Sequence, residues 1–102
     1  MINIPLTTRT FDGLNILRVE VGSNCPRGGD SGHGGRTVLR FINEASTDMR
    51  IRVDDEASVN ADSIELIFGG DSEHQSVIEA LEFAVTTLKA IPDTGRSMAQ
   101  VE

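Results

Sequence analysis

The chain has 102 residues, four Phe, no Trp or Tyr, and a formal net charge of −7. This length allows one domain with a small core. Net negative charge argues against non-specific binding of DNA, RNA or an anionic membrane, because such binding needs a broad positive field. We therefore expect no nucleic-acid polymer and no membrane as partner. A single Cys25 and the absence of a leader-like or long apolar segment predict a cytoplasmic protein.

The charge is distributed unevenly along the chain. Residues 1–52 carry seven arginines and five acidic side chains, whereas residues 53–102 carry two basic and eleven acidic ones. Eight of the nine basic residues are Arg, whose planar guanidinium suits bidentate contacts with phosphate or carboxylate. A small anionic ligand bound by the first half therefore stays possible.

The first half reads as strands. Ile2, Ile4 and Leu6 alternate but are interrupted by Pro5, which favours a short edge strand or an arm. Apolar and polar residues alternate over 14–21, 36–42 and 49–53, with turn-like residues over 43–47, so the last two of these strands are predicted to form a hairpin.

The second half ends in a helix. Residues 55–62 are polar and predicted to be a loop, and 63–68 alternate as a further strand. Ser72 and Gln75 form a capping-box pattern, and apolar residues then recur at helical spacing to residue 90, before Pro92.

These elements predict an α+β fold: a small antiparallel sheet of four to five strands with one C-terminal amphipathic helix packed on one face. Residues 1–91 would form a single ligand-binding domain and residues 92–102 a disordered tail. A core this small makes a homo-oligomer a reasonable expectation. The predicted core residues are Leu17, Val19, Leu39, Phe41, Ile51, Leu66, Phe68, Ile78, Leu81 and Leu88.

The segment 22–37, GSNCPRGGDSGHGGRT, holds six of the ten glycines. Glycine permits positive φ and close approach of backbone N–H groups to a ligand, and the interleaved polar side chains suit an anion. The alternative is a mobile loop without a ligand. Arg18 and Arg40 lie in the strands that flank it. The candidate ligand-binding residues are Asn24, Arg27, Gly28, Gly29, Asp30, Ser31, His33, Gly34, Gly35, Arg36 and Thr37, with Arg18 and Arg40.

Catalytic and metal-binding interpretations of this loop are weaker. The GDSG sequence at 29–32 is similar to the segment around the nucleophile of chymotrypsin-like proteases, but the chain is far too short for that scaffold. Neither paired metal-ligand spacings nor the usual phosphate-loop motifs are present. We expect no enzyme activity, no metal and no cofactor. The roles of Cys25 and His74 stay open.

The segment GGDSGHGGRT, preceded by VEVG and followed by two strands, FGGD and a terminal helix, resembles small phage proteins that sequester cyclic-nucleotide immune signals. The resemblance covers roughly residues 17 to 90. It implies a homo-oligomeric sponge that binds a cyclic di- or oligonucleotide, or a cyclic ADP-ribose relative, intact, in the host-cell cytoplasm.

Two other functions stay open from the residues themselves. The acidic helix and tail could contact a basic partner, which would make the chain a protein-interaction inhibitor or assembly module. His33 and Asp30 could instead act on a phosphodiester in a small hydrolase or nuclease.

Overall fold

The computed structural model describes residues 1–90 and 98–101. Within these residues the chain forms six strands, one short 3-10 helix and one α-helix. In chain order these are β1 (Thr7–Asp12), β2 (Ile16–Ser23), the 3-10 helix (Ser31–His33), β3 (Arg36–Ala45), β4 (Arg50–Ile51), β5 (Val59–Asn60), β6 (Ser63–Gly69) and α1 (Asp71–Ala90).

The main sheet has four antiparallel strands in the order β1-β2-β3-β6, and α1 follows its last strand. This confirms the predicted α+β fold. The alternating patterns of β2, β3 and β6 correspond to real strands, because successive side chains of a strand point to opposite faces of the sheet. The predicted tail, 92–102, lies mostly outside the described residues; residues 98–101 have no regular secondary structure.

The predicted hairpin between 36–42 and 49–53 is wrong. β4 is only two residues long and pairs with β5 in a separate ribbon, while β3 pairs with β6 over seven residues. β3 also continues to Ala45, beyond the predicted turn. The chain leaves the sheet at Ser46, where φ is 60°, and the side chain of Asn43 accepts a hydrogen bond from the backbone N–H of Thr47 at 3.1 Å.

The N-terminal residues form an arm, and the edge strand begins only at Thr7. The arm crosses the sheet at Gly22 of β2: a Cβ atom there would lie 2.0 Å from the carbonyl oxygen of Pro5. Glycine is therefore required at this position for close packing. One of the six clustered glycines thus belongs to a strand and seats the arm.

The helix begins one residue earlier than predicted, without the capping box. The carbonyl of Gly70 accepts the first helical hydrogen bond, from the N–H of His74 at 3.2 Å, so Gly70 occupies the N-cap position. Gly70 has a φ of 109°, which a side chain would strain. Ser72 lies inside the first turn.

The two faces of the sheet differ in chemistry. Residues directly opposite each other in an antiparallel pair point to the same face. One face, which α1 contacts, carries Phe11, Leu17, Val19, Val21, Leu39, Phe41, Ile64, Leu66 and Phe68. The other face carries Arg18, Glu20, Arg36, Val38, Arg40, Glu65 and Ile67.

The predicted core does not close within one chain. Among the described residues, the buried hydrophobic side chains are Val38 and Leu39. Leu66, Ile78, Leu81 and Leu88, which we expected in the core, are exposed. The sequence pattern identified the apolar faces of the main sheet and the helix, but Ile51 lies in β4 of the separate ribbon.

Candidate functional site

The glycine-rich loop between β2 and β3 is folded against the start of α1. The backbone N–H groups of Arg27, Gly28 and Gly29 donate to the Asp71 carboxylate, at 2.8, 2.8 and 3.1 Å. Two backbone bonds add to this anchor: the N–H of Asp71 donates to the carbonyl of Gly29 at 2.9 Å, and that of Gly70 to the carbonyl of Gly35 at 3.0 Å. The loop is therefore attached to the body of the protein.

The Asp71 carboxylate takes the place in which we expected a ligand anion. Its hydrogen bonds from Arg27 and Gly28, and then from Gly29, hold the pKa of this carboxyl below its ordinary value, against an opposing effect of desolvation. The expectation that these three N–H groups face a ligand is corrected here, since they already have an internal acceptor.

Asn24 also closes the loop internally. Its side-chain carbonyl accepts from the backbone N–H of Arg36 at 2.7 Å, and its amide donates to the carbonyl of Gly34 at 3.1 Å. Asp30 accepts from the N–H of Gly32 at 2.9 Å and caps the 3-10 helix. These two residues give the loop its shape, so their polar groups are only partly available to a ligand.

Thr37 lies on the inner side of the sheet. It is the one buried polar residue of the described chain, and its hydroxyl lies 3.0 Å from the hydroxyl of Ser23 and 3.1 Å from Nδ1 of His74. Ser23 also lies 3.1 Å from the same nitrogen. The three side chains join β2, β3 and α1 beneath the loop. Thr37 therefore faces away from the loop surface on which we expected a ligand.

Sequence reasoning missed Asp71, Ser23 and the role of His74. Asp71 reads as an ordinary first-turn acidic residue, and no local signal shows that its side chain turns back to the loop. The spacing of His74 from Val77 and Leu81 could have placed it on the helix face that meets the sheet.

A groove of about 680 Å³ lies on the other face of the sheet, beside the loop. This volume falls in the usual range for small-molecule sites. The arm forms one wall, and β3 and β6 form the floor. The lining residues are Met1, Ile2, Asn3, Ile4, Leu6, Arg36, Val38, Arg40, Glu65 and Ile67.

Two predicted site residues, Arg36 and Arg40, meet in this groove. Arg40 is held between two carboxylates: it bonds to Glu65 and, through Nη1 at 3.2 Å, to Glu20. Glu65, and then Glu20, raise the pKa of Arg40, and Arg40 in turn lowers the pKa of Glu20, so both groups stay charged. The charge of Arg40 is thus largely balanced.

Arg36 differs from Arg40 in its partners. Its Nη1 donates to the carbonyl of Gly35 at 2.7 Å and to that of Ser31 at 2.9 Å. Within the described part of the chain no carboxylate pairs with it. A guanidinium has five N–H donors, so Arg36 keeps donors and a full positive charge beside the groove.

The other predicted residues are distributed around these two. Arg18 lies on the groove face but pairs with Glu44 at 2.7 Å. His33 stacks close to Gly29, with its Nδ1 3.4 Å from Asp30. Gly28 and Gly34 have φ values of 92° and 84°, which explains glycine at both positions. The structure therefore brings Arg36 and Arg40 together in the groove and leaves the loop tip outside it.

The described residues contain no group of three His, Cys, Asp or Glu side chains arranged to hold a metal ion. In the same residues no helix is long and apolar enough to cross a membrane. No family model matches the chain, and neither does any curated protein or solved structure.

Proposed function

We propose that this protein binds a small phosphate-containing ligand in the sheet-face groove and sequesters it without altering it. The observation that carries the proposal is Arg36, a guanidinium without a carboxylate partner among the described residues, fixed at the end of β3 in the lining of a ligand-sized groove. An anion there would meet a preorganised positive charge. A fixed arginine loses less conformational entropy on binding than a mobile one.

The groove offers different surfaces to the two parts of a nucleotide. Arg36 and Arg40 supply charge for phosphate, whereas Ile4, Val38 and Ile67 offer apolar surface to a base or sugar. Arg40 would have to share its donors with Glu65 and Glu20, so we assign Arg36 the main contact with phosphate and Arg40 a supporting one. The exposed loop side chains Arg27, Ser31 and His33 would contact the parts of the ligand that extend beyond the groove.

The resemblance to cyclic-nucleotide-sequestering phage proteins favours a cyclic nucleotide as the ligand. In that role the protein would lower the free concentration of an immune signal in the host-cell cytoplasm and so counteract anti-phage signalling. Sequestration by such a homo-oligomer requires binding sites but no catalytic residue.

Replacing Arg36 by Ala tests the site. We expect the affinity for a cyclic dinucleotide to fall about ten- to a hundredfold, the scale of a charge-assisted hydrogen bond. Calorimetric titration of a cyclic-nucleotide panel measures this, and mass spectrometry of the recovered ligand distinguishes intact binding from hydrolysis. Arg9→Ala is the matched control, because Arg9 lies on the opposite face of the sheet over Phe11.

Unchanged affinity in Arg36→Ala would move the site away from the groove. Absence of binding by the unaltered protein to every member of the panel would favour a second function, that of a protein-interaction inhibitor or assembly module. The exposed apolar face of α1 is the observation that supports this alternative.

A further inference from the structure

The apolar face of the sheet is only partly covered by α1. The side chains between them are Leu39, Leu66 and Phe68 from the sheet and Val77, Ala80 and Leu81 from the helix. An apolar cleft of about 270 Å³ remains at this contact. Toward β1 the same face stays open, and Phe11 is 46% exposed.

The large apolar side chains of the sheet-facing side of α1 become more exposed toward the C-terminal end of the helix. Val77, Leu81 and Leu88 follow one helical face, at i, i+4 and i+11, and Val77 and Leu81 line the sheet contact. Val77 is half-buried, Leu81 is 41% exposed and Leu88 is 70% exposed. Near the end of this face, Leu88 is therefore mostly uncovered in the described chain.

The exposed surface is large for a chain of this mass. It measures 7880 Å², whereas a compact monomer of this size exposes about 5,600 Å². The described chain ends contribute to the difference of about 2,300 Å², but each partner in a standard interface buries only about 800 Å². The excess is larger than the area that one partner buries in a standard interface.

A second copy of the chain supplies the surface that is missing. An open apolar sheet face and an open apolar helix face lie on the same side of one molecule, so a two-fold axis can place each helix on the sheet of the other copy. Charge disfavours helix-on-helix contact, because each copy of α1 carries Asp71, Glu73, Glu79 and Glu82 against Lys89.

We propose that the protein is a two-fold symmetric dimer in which the C-terminal half of α1 covers the open apolar sheet face, near β1 and β2, of its partner. This interface lies on the face opposite the Arg36 groove and does not depend on the proposed ligand. Each chain then completes in the partner the core that it cannot close alone.

The oligomeric state of two matched variants tests the proposal. We expect light scattering at micromolar concentration to give the unaltered protein twice its 11.0 kDa. Leu88→Glu should give the monomer mass. Phe83→Glu should stay dimeric, because Phe83 is just as exposed, at 72%, but points away from the sheet-facing side of the helix. A monomeric unaltered protein, or a dimer lost with Phe83→Glu and kept with Leu88→Glu, would overturn the proposal.

A mixed-label experiment covers the case in which Leu88→Glu does not fold. One sample carries a nitroxide on Lys89→Cys in a Cys25→Ser background, and the other is isotope-labelled without a nitroxide. Their mixture should show selective broadening of the signals of Leu17, Val19 and Phe41. Broadening restricted to α1, or none at all, would contradict helix-on-sheet docking.

Discussion

Asp71 links the two halves of this protein at the scale of one residue. Asp71 is the first residue of α1, yet its carboxylate accepts hydrogen bonds from the loop N–H groups of Arg27, Gly28 and Gly29. A loop rich in glycine would otherwise be costly to order. The internal anion therefore allows a flexible sequence to hold one conformation beside the groove.

Asp71→Asn should lower the midpoint of thermal unfolding at neutral pH, because the amide has one acceptor oxygen and no charge for three donors. The folded-state pKa of Asp71 is lowered, so its stabilisation is fully present above the unfolded-state pKa of about 3.9 and is lost as pH falls through the lower folded value. The difference in midpoint between the unaltered protein and the variant should stay constant above about pH 5 and shrink below about pH 4.

Melting curves at a series of pH values measure this difference. Asp48→Asn is the control, since Asp48 is exposed and its ion pair with Arg50 spans 3.7 Å. Exposed pairs contribute little, so this variant should melt close to the unaltered protein. A difference for Asp71→Asn that persists undiminished at pH 3 would show that its carboxylate charge is not the cause.

At the scale of elements, the N-terminal arm and α1 cover opposite faces of one sheet. The arm passes over Gly22 and places Ile4 and Leu6 against the groove, while His74 holds the start of α1 to Ser23 and Thr37. The groove exists only because the arm forms its wall. Its shape therefore depends on a contact far from either arginine in sequence.

Gly22→Ala should displace the arm, because the added Cβ would overlap the carbonyl oxygen of Pro5 at 2.0 Å. We expect faster proteolysis and faster hydrogen exchange in residues 1–6, together with weaker ligand binding. Gly13→Ala is the matched control, since no atom lies within 4 Å of the added Cβ there. Equal exchange rates in both variants would mean that the arm is not held at Gly22.

At the scale of the whole molecule, a single chain leaves its apolar surfaces largely open. Fully burying a large apolar side chain contributes about 1.5–3 kcal/mol, and domains are stable by only about 5–15 kcal/mol. Covering Phe11, Leu81 and Leu88 in a partner would therefore supply a large part of the total. Folding and association should then be one process.

The thermal midpoint should accordingly rise with protein concentration. An increase from about 1 to 100 μM favours an associated native state by mass action. Calorimetric scans over this range test the coupling, with Leu88→Glu as a comparison that should lack the dependence. A midpoint independent of concentration for the unaltered protein would show that one chain is stable alone.

The sequence by itself determined the fold class, most strand positions and the helix. The spacing of apolar residues along a strand or a helix shows directly which of its faces is apolar. It also placed Arg36 and Arg40 among the candidate ligand-binding residues, and both line the groove. Pairing partners were decided only in the tertiary structure: β4 alternates as β6 does, but a two-residue strand cannot match the seven-residue pairing of β3 with β6. Local periodicity does not encode which strand lies alongside.

The acceptor for the loop N–H groups was likewise decided by tertiary structure. The glycines of the loop predict accessible backbone N–H donors. Whether these donors bind a ligand or the Asp71 carboxylate depends on where α1 begins relative to the loop. The same holds for the core: the sequence shows that Leu81 and Leu88 form an apolar face, whereas their exposure is decided by how the helix packs on the sheet. Burial is a property of the packed chain, and a single chain here leaves these apolar side chains exposed.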